Sequence, residues 1–499
     1  MCPYAMFETD RERKQMSSVH VPTLQHSVDI AIADCVQRCK LCSITWKVSV
    51  VTYLVAAVLH SSPHSEPYMR RLSLPLVLAF PLLATAQAAQ QNAAPVAYVI
   101  RAAHLIDGRS DVVQNDVAIL VLGDRIVAVG HNAEIASKTP AGAQIVDLGG
   151  ATILPGLIDN HTHVLLQGDI TSADYDEQLL KESNPYRAIR ATAAVRTALM
   201  NGFTAIRDLE TEGAMYTDVD VKTAIARGVI PGPRMFVSTR AMAPTGTYPL
   251  LGYSWELKMP EGVQIVDGPE DIRKAVREEV KYGADWIKFY ADRKYYVASD
   301  GRLRSWVNFT DEELKMLVGE AHRLGKKVAA HAMGWDGIDA ALRAGVNTIE
   351  HGDGLTDDLL DRMLAQKVYW CPTIFVGVYV APGRGGIWPK MVELERIAFG
   401  KALKKGVLIS YGTDVGGYAW TENQAQEFAY MVRYGMSPMA AIKSATSVGA
   451  QLLDQADNFG TVEAGKLADI IAVKGDPIAD ISELTRVTFV MKGGTIYKQ

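Results

Sequence analysis

Five residues in the middle of the chain have side chains that bind metal ions, and each stands at the end of an apolar stretch. They are His161, His163, His331, His351 and Asp414. One residue separates His161 from His163, so in a strand both imidazoles lie on the same face. Neutral imidazole and carboxylate are ligands that suit Zn²⁺ and similar divalent ions. Together these residues predict a metal centre.

Lys288 lies inside another apolar stretch, between Ile287 and Phe289. A buried ammonium is costly unless it is paired, and burial lowers its pKa toward the neutral amine. A neutral amine can add carbon dioxide to become a carbamate, whose two oxygens can bridge two cations. With Lys288 the ligand set exceeds the three or four protein ligands that one zinc uses. The number of ligands therefore favours two metal ions.

Each of these residues alone has a simpler interpretation. His331 and His351 could be hydrogen-bonded core histidines, and Asp414 could cap the helix that follows it. Lys288 could pair with a carboxylate. The metal centre is preferred because all of these residues occur together at the ends of successive strands.

The elements that would carry these side chains alternate between strands and helices. We predict helices at 185–200, 269–282 and 310–324, the last of which opens with a capping box of Thr310 and Glu313. Eight strands followed by helices favour a closed (β/α)8 TIM barrel over residues 154–459, in which all the carboxyl ends of the strands meet at one mouth. A doubly wound sheet is the alternative, but no Gly-x-Gly-x-x-Gly follows a strand. The predicted strands are 154–164, 204–210, 234–239, 286–292, 327–334, 348–354, 368–375 and 407–416.

Short alternating runs at both ends of the chain indicate a second, smaller domain. Turn residues such as the glycines at 149–150 and 493–494 separate these runs. We therefore predict a β-sandwich domain built from residues 89–153 and 460–499, which frames the barrel.

The N-terminal part of the chain has the pattern of a targeting signal. Two arginines, an apolar run and the small-x-small triplet at 86–88 predict a signal peptide over 69–88. We expect a periplasmic or secreted protein with no stable membrane insertion. Residues 1–68 are interpreted as a doubtful N-terminal extension. They hold four of the five cysteines, so the body does not depend on disulfides.

The charge balance also excludes one class of partner. The chain has 51 Lys and Arg against 56 Asp and Glu, a net charge of −5. Without a basic surplus, no nucleic-acid partner is predicted. A small-molecule substrate is expected instead.

The ligand set resembles that of the binuclear metal-dependent amidohydrolase superfamily. The segments LPGLID at 154–159 and GKLAD at 465–469 carry the same likeness, which covers roughly 98–499. Segments 201–208 and 350–352 resemble the imidazolonepropionase-like and Xaa-Pro-dipeptidase-like group. The resemblance implies two divalent metal ions, of which Zn²⁺ is the first candidate, and often a homo-oligomer. The implied ligands are His161, His163 and Asp414 for one ion, His331 and His351 for the other, and carboxylated Lys288 between them.

The resemblance also implies a mechanism and a reaction. Asp414 is the catalytic residue, which takes a proton from the attacking water and passes it to the leaving amine. The reaction is hydrolysis of an amide C–N bond. Alternatives on the same metal site are a lactonase, an imidazolone-type ring hydrolase or a deaminase. A non-catalytic binding protein is a further hypothesis.

The sequence departs from relatives where they carry polar substrate contacts. Relatives often have a histidine in the loop after strand three, where 244–248 reads PTGTY, and a polar residue where Met333 stands. Aromatic loops with few polar groups favour an N-acyl amino acid or dipeptide with an apolar or aromatic leaving group. Arg293 is the candidate for its carboxylate. The resemblance implies that ochratoxin A, the amide of phenylalanine with an isocoumarin acid, is included. The predicted pocket residues are Tyr248, Leu250, Leu251, Tyr253, Trp255, Tyr290, Tyr295, Tyr296, Val378 and Tyr379.

Overall fold

The structure of the chain, a computed structural model, describes residues 96–168, 171–248, 250 and 252–499. The expected extension at 1–68, the expected signal peptide at 69–88 and the pocket candidate Leu251 lie outside the described residues. Among the helices that are described, none has the length and apolar character needed to cross a bilayer.

The strands of the described residues fall into a small N- and C-terminal sheet and a central barrel with its loops. In chain order they are β1 (Ala97–Leu105), β2 (Gln114–Leu122), β3 (Arg125–His131), β4 (Gln144–Asp147), β5 (Thr152–Pro155), β6 (Leu157–Thr162), β7 (Phe203–Asp208), β8 (Arg234–Val237), β9 (Met242–Ala243), β10 (Gln264–Ile265), β11 (Trp286–Tyr290), β12 (Asp292–Val297), β13 (Leu303–Val307), β14 (Lys327–Ala332), β15 (Thr348–His351), β16 (Tyr369–Cys371), β17 (Ile470–Val473), β18 (Phe489–Lys492) and β19 (Thr495–Lys498).

Most of the helices follow barrel strands and cover the barrel. In chain order they are α1 (Asn132–Lys138), α2 (Ser172–Lys181), α3 (Asn184–Met200), α4 (Thr217–Ala226), α5 (Pro269–Tyr282), α6 (Asp311–Arg323), α7 (Trp335–Ala344), α8 (Asp357–Gln366), α9 (Ile374–Arg384), α10 (Trp388–Lys405), α11 (Gln426–Arg433), α12 (Pro438–Ser444) and α13 (Ser447–Leu452).

The small domain is one continuous mixed sheet made from both ends of the described chain. Its strands follow the order β19-β18-β17-β5-β1-β2-β3, and β4 pairs with β1. The turn between β18 and β19 lies directly against the turn between β2 and β3. A Cβ added to Gly494 would lie 1.8 Å from the carbonyl oxygen of Gly123. Only glycine allows this approach of two turns. Strands from both chain ends share one apolar core, which includes Ile100, Ile119 and Phe489.

The central part of the chain is an α/β fold of the (β/α)8 barrel type, as the sequence predicts. Neighbouring strands β6, β7 and β8 are parallel, and so are β11, β14, β15 and β16. The strands β6, β7 and β11 are buried along their whole length, although each contains polar or charged residues. The two groups of parallel strands are joined where β8 meets the start of β11. There the Asp285 N–H donates a hydrogen bond of 2.7 Å to the Val237 carbonyl.

The eighth strand differs from the prediction of a regular strand at 407–416. This segment makes isolated parallel bridges, Ile409 with Trp370 of β16 and Val415 with Thr162 of β6, and so it joins the seventh strand to the first. A Cβ on Gly412 would lie 2.2 Å from Cys371 Sγ. At Gly412 the segment therefore runs closer to its neighbours than a side chain would allow.

The predicted helices at 185–200, 269–282 and 310–324 correspond to α3, α5 and α6. The hydroxyl of Thr310 and the carboxylate of Glu313 form the predicted capping box of α6. The hairpin of β12 and β13, which follows the fourth barrel strand, was not predicted. Its two strands pair in antiparallel fashion across a turn that contains Gly301.

Candidate metal and substrate site

The predicted ligands come together at the mouth of the barrel. His161, Lys288, His331 and His351 lie on β6, β11, β14 and β15, and Asp414 lies on the irregular eighth segment. All of them, with His163, line one cavity of about 530 Å³. The sequence expectation that strand ends bring these side chains together is therefore matched by the geometry.

Three of these side chains form the tightest part of the site. Oδ1 of Asp414 lies 3.0 Å from Nε2 of His163 and 3.6 Å from Nε2 of His161. The two Nε2 atoms are 3.3 Å apart. Such converging nitrogen and carboxylate atoms are the arrangement that a divalent ion requires.

The other two histidines adjoin this group. The ring centroid of His351 lies 4.6 Å from that of His331 and 5.1 Å from that of His161. Nδ1 of His351 contacts the Thr373 hydroxyl at 2.9 Å. Nε2 of His331 contacts the Tyr295 hydroxyl at 2.8 Å. This nitrogen can bind a metal ion only if the Tyr295 hydroxyl moves away from it.

The backbone is strained at two of the predicted ligands. His351 has a φ of 69° and Asp414 has a φ of 57°. Residues other than glycine seldom adopt this left-handed conformation, and they do so most often where function requires it. Both residues with this backbone conformation line the cavity.

Burial controls the charges of the site. Burial lowers the pKa of Lys288, against the attraction of Glu350, Glu210 and Asp414, and this favours the neutral amine. It also lowers the pKa of His161 to about 4 and that of His351 to about 3. These imidazoles are therefore neutral at pH 7 and able to bind a metal ion.

His163 and Asp414 behave as a charged pair when no metal is bound. Burial lowers the pKa of His163, but the hydrogen bond and charge of Asp414 outweigh it and raise the pKa to about 9. Burial would raise the pKa of the Asp414 carboxyl, yet His161 and His163 hold it well below its usual range. A metal ion would take the place of the proton on His163.

Glu350 is the main feature of the site that the sequence analysis missed. Its Oε2 lies 2.9 Å from Nδ1 of His161, and its Oε1 accepts a hydrogen bond of 2.9 Å from the Arg207 guanidinium. Arg207 lies 4.5 Å from the centre of the Trp286 ring. Both charged groups are fully buried. A charged residue inside each of two apolar strands was the available signal for such a pair.

A second missed group consists of two buried acids and three tyrosines. Oε2 of Glu212 accepts hydrogen bonds from Tyr175 at 2.7 Å and from Tyr248 at 2.5 Å. The Tyr290 hydroxyl donates to Glu210. Burial raises the pKa of Glu210 well above its usual value, and the charge of Glu212 adds to this rise. Tyr248 and Tyr290, which were predicted as part of an aromatic lining, therefore also donate hydrogen bonds to buried carboxylates.

The predicted substrate residues Tyr248, Tyr290, Arg293 and Met333 all line the cavity, as does Tyr295. The Arg293 guanidinium lies between two rings, 4.5 Å from the centre of Tyr290 and 4.7 Å from that of Tyr248. Its Nε is buried without a hydrogen-bond partner among the described atoms. The structure thus presents a cation in an aromatic wall of the cavity.

Other predicted pocket residues are not part of this lining. Tyr253, Trp255 and Tyr296 are exposed on the surface, and the Trp255 side chain is 90% exposed. Successive side chains of a strand point to opposite faces, so Tyr295 on β12 enters the cavity and Tyr296 does not. The cavity wall does not include three further residues of the predicted pocket: Leu250, Val378 and Tyr379.

Comparison with known proteins decides the family. The sequence pattern of the amidohydrolase family matches residues 152–497, which span the barrel and part of the small sheet.

The chain belongs to the amidohydrolase family.

Its relatives within this family include enzymes that act on amides. An ochratoxinase of Aspergillus niger is 32% identical over 432 residues, which cover 80% of this chain and 86% of the relative. A crystal structure of a Xaa-Pro dipeptidase with methionine bound in its active site is 34% identical, with a TM-score of 0.71; the match covers 81% of this chain and 100% of that one. An imidazolonepropionase of Deinococcus deserti is 24% identical over 387 residues, which cover 74% of this chain and 88% of the relative. The resemblance stated from the sequence is confirmed, with a fungal ochratoxinase among the relatives.

Amidohydrolases generally use divalent metal ions, and the donor set of this chain fits them. His161, His163 and Asp414 place ligand atoms within 4.8 Å of one another. His331, His351 and the buried Lys288 lie at the same cavity. Glu350 adds the outer contact that metal-binding histidines usually have.

Proposed function

We propose that this amidohydrolase cleaves the amide bond of N-acyl amino acids or dipeptides whose leaving amino acid is apolar or aromatic. The observation that carries the proposal is one cavity that joins the histidine–aspartate cluster to a cation in an aromatic wall. An amide with a free carboxylate and a hydrophobic side chain is the substrate that fits both parts.

The proposed cofactors are two divalent ions, Zn²⁺ first among them, with carboxylated Lys288 between their sites. When bound, such ions acidify water and polarise the substrate carbonyl. The supporting observation is the burial of Lys288, of which 1% is exposed, and its lowered pKa. Only a neutral amine adds carbon dioxide, so this environment favours the carbamate.

Asp414 moves the proton in the proposed reaction. Its carboxylate is held ionised by His161 and His163, and it lines the cavity beside them. An ionised carboxylate can accept a proton from the attacking water at Oδ1 or Oδ2. It can then give that proton to the leaving amine, which completes the cleavage.

Arg293 and the aromatic wall orient the substrate. The guanidinium pairs with the carboxylate of the leaving amino acid, and the Tyr248 and Tyr290 rings hold it in place. Met333, which is buried against Leu303 and Met391, makes this side of the cavity apolar. The ochratoxinase and the Xaa-Pro dipeptidase among the relatives support a product that is an amino acid. Ochratoxin A, which would release phenylalanine, belongs to the proposed substrate range.

The test is a panel of N-acyl amino acids with Phe, Leu, Pro, Lys and Asp as leaving groups, with ochratoxin A, a lactone and an imidazolone substrate alongside. We expect the highest kcat/KM for the apolar and aromatic members. Arg293→Ala should raise KM for these substrates and leave that for their C-terminal amides less affected. A preference for the Lys or Asp members, or hydrolysis of the lactone or imidazolone alone, would contradict the proposal.

A further inference from the structure

Two acids that are not among the predicted ligands also line the cavity. Asp353 follows His351 by two residues and Glu395 lies on α10. Asp353 is 6% exposed and Glu395 is 3% exposed. Oδ2 of Asp353 is buried and has no hydrogen-bond partner among the described atoms. An unpaired buried carboxylate in a cavity wall is costly unless a ligand supplies the missing donor.

The neighbouring helix leaves Glu395 uncovered. Gly377 on α9 lines the same cavity, and a Cβ placed on it would lie 3.8 Å from Oε2 of Glu395. Because Gly377 has no side chain, nothing from this position fills the space beside the carboxylate. Asp353 and Glu395 both line the cavity, so a ligand in the cavity can approach either carboxylate.

The described surroundings of the two carboxylates add negative charge. The charge that acts on Asp353 is that of Asp292, and the charges that act on Glu395 are those of Asp353 and Glu427. Glu212, by contrast, is already satisfied by two tyrosine hydroxyls. Asp353 and Glu395 thus form an acidic part of the cavity wall, where burial raises the pKa of both and disfavours the ionised carboxylates unless a cation lies beside them.

Arg384 also lines the cavity but stands over a different partner. Its guanidinium carbon lies 4.5 Å from the centre of the Trp388 ring. It is not among the groups whose charge acts on Asp353 or Glu395. The acidic wall is therefore distinct from this cation.

We propose that Asp353 and Glu395 bind a primary ammonium on the acyl side of the scissile amide. This inference rests on the proposed function, in which Arg293 holds the carboxylate of the leaving amino acid. An ammonium has three donors, which suit two carboxylates. The ammonium is the α-amino group of a dipeptide or the terminal amino group of a longer acyl chain. Substrates with a positive acyl part are then preferred to neutral N-acyl amino acids.

The experiment uses substrate pairs that differ only by the amino group. Alanyl-phenylalanine is compared with N-propionyl-phenylalanine, and N-(6-aminohexanoyl)-phenylalanine with N-hexanoyl-phenylalanine. For one pair we expect kcat/KM to be about tenfold or more higher for the amine, because the neutral analogue leaves two buried carboxylates unpaired. A preference in the first pair identifies the α-ammonium, and a preference in the second identifies the terminal ammonium.

Variants test the two residues. Asp353→Asn and Glu395→Gln should each lower the amine-to-analogue ratio of kcat/KM toward one. Glu393→Gln, an exposed acid on the same helix, should keep the ratio of the wild type. Circular dichroism and thermal unfolding establish that the variants are folded, and a wild-type ratio near one in both pairs overturns the inference whether they fold or not.

The outcomes separate this inference from the proposed function. Hydrolysis of all four substrates with ratios near one overturns the ammonium site and leaves amide hydrolysis intact. Ratios that neither Asp353→Asn nor Glu395→Gln changes in the folded state also overturn it. If none of the four amides is cleaved by the metal-loaded enzyme, both the inference and the proposed function fail.

Discussion

Nδ1 of His161 lies 2.9 Å from Oε2 of Glu350, and this contact leaves Nε2 of the same ring facing His163 and Asp414. The carboxylate is itself held by Arg207. Burial would raise the pKa of Glu350, but the charge of Arg207 and the hydrogen bond with His161 hold it well below its usual range. An ionised Glu350 accepts a hydrogen bond from the Nδ1–H of His161 and so fixes the tautomer that can bind a metal through Nε2.

We therefore predict that Glu350→Gln lowers metal affinity and activity about 10- to 100-fold. The amide can offer a donor to Nδ1 and thereby stabilise the wrong tautomer. Metal content per chain after dialysis and kcat/KM at saturating Zn²⁺ measure the two effects. Glu312→Gln, an exposed acid on α6, is the matched control and should match the wild type. Unchanged metal content in Glu350→Gln would contradict the assigned role.

Lys288→Ala is expected to abolish activity and to lower the metal content, since it removes the proposed bridging carbamate. A short-chain carboxylic acid should restore part of the activity, because its two oxygens can take the place of the carbamate. Wild-type protein loaded with metal in ¹³C-bicarbonate should show a carbamate signal in its ¹³C spectrum. A fully metallated, active enzyme with an unmodified Lys288 ammonium would exclude this chemistry.

For Asp414→Asn we expect turnover to fall by about 10²- to 10⁴-fold, which is the usual contribution of general acid–base catalysis. The asparagine keeps the shape of the side chain but cannot accept the proton. Metal content is measured in parallel, because Asp414 is also a predicted ligand. Near-normal turnover in the metallated variant would remove Asp414 from the proton transfer.

Glu320 on α6 provides a stability prediction away from the site. It pairs with Arg323 on the same helix and with Arg277 on α5. Hydrogen bonds from these arginines lower its pKa to about 2, against the opposite effect of burial. Because the folded-state pKa lies below the unfolded value of about 4.3, the stabilisation is present above pH 4.3 and is lost as the pH falls toward 2.

The corresponding variant is Glu320→Gln, which is expected to lower the free energy of unfolding at pH 7. The difference from the wild type should shrink between pH 4.3 and pH 2. Urea unfolding of metal-free protein at several pH values measures it without interference from metal loss. A difference that stays constant over this range would show that the ion pairs contribute nothing.

A chain that begins at Ala89 is expected to fold and to hydrolyse amides as well as the full chain. The match to the amidohydrolase family begins at residue 152, and the small sheet begins at β1. The proposed signal peptide at 69–88 predicts that protein exported by a bacterial host has its N-terminus near Ala89. N-terminal sequencing of the exported protein and kcat/KM of the shortened chain test both points. Loss of solubility or activity in the shortened chain would show that 1–88 has another role.

Some contacts could be anticipated only in part from the sequence. Both residues of the capping box of α6 could be predicted, because Thr310 and Glu313 are three positions apart and meet within one helical turn. The prediction of Tyr295 and Tyr296 together failed for Tyr296, because strand pleating separates neighbours. The hairpin that carries both was not anticipated, and so neither was the face on which each side chain lies.

The sequence by itself determined the types of the ligands and their order along the chain. It also determined the barrel, because eight apolar strand segments alternate along the chain with amphipathic helical segments. In such a barrel the carboxyl ends of the parallel strands meet at one mouth. Only the tertiary structure decided which distant residues meet there: Arg207 with Glu350, and Asp353 with Glu395 in one wall of the cavity. Such contacts join segments far apart in the chain. They depend on the register between strands and on how each helix packs, which local patterns of residues do not encode.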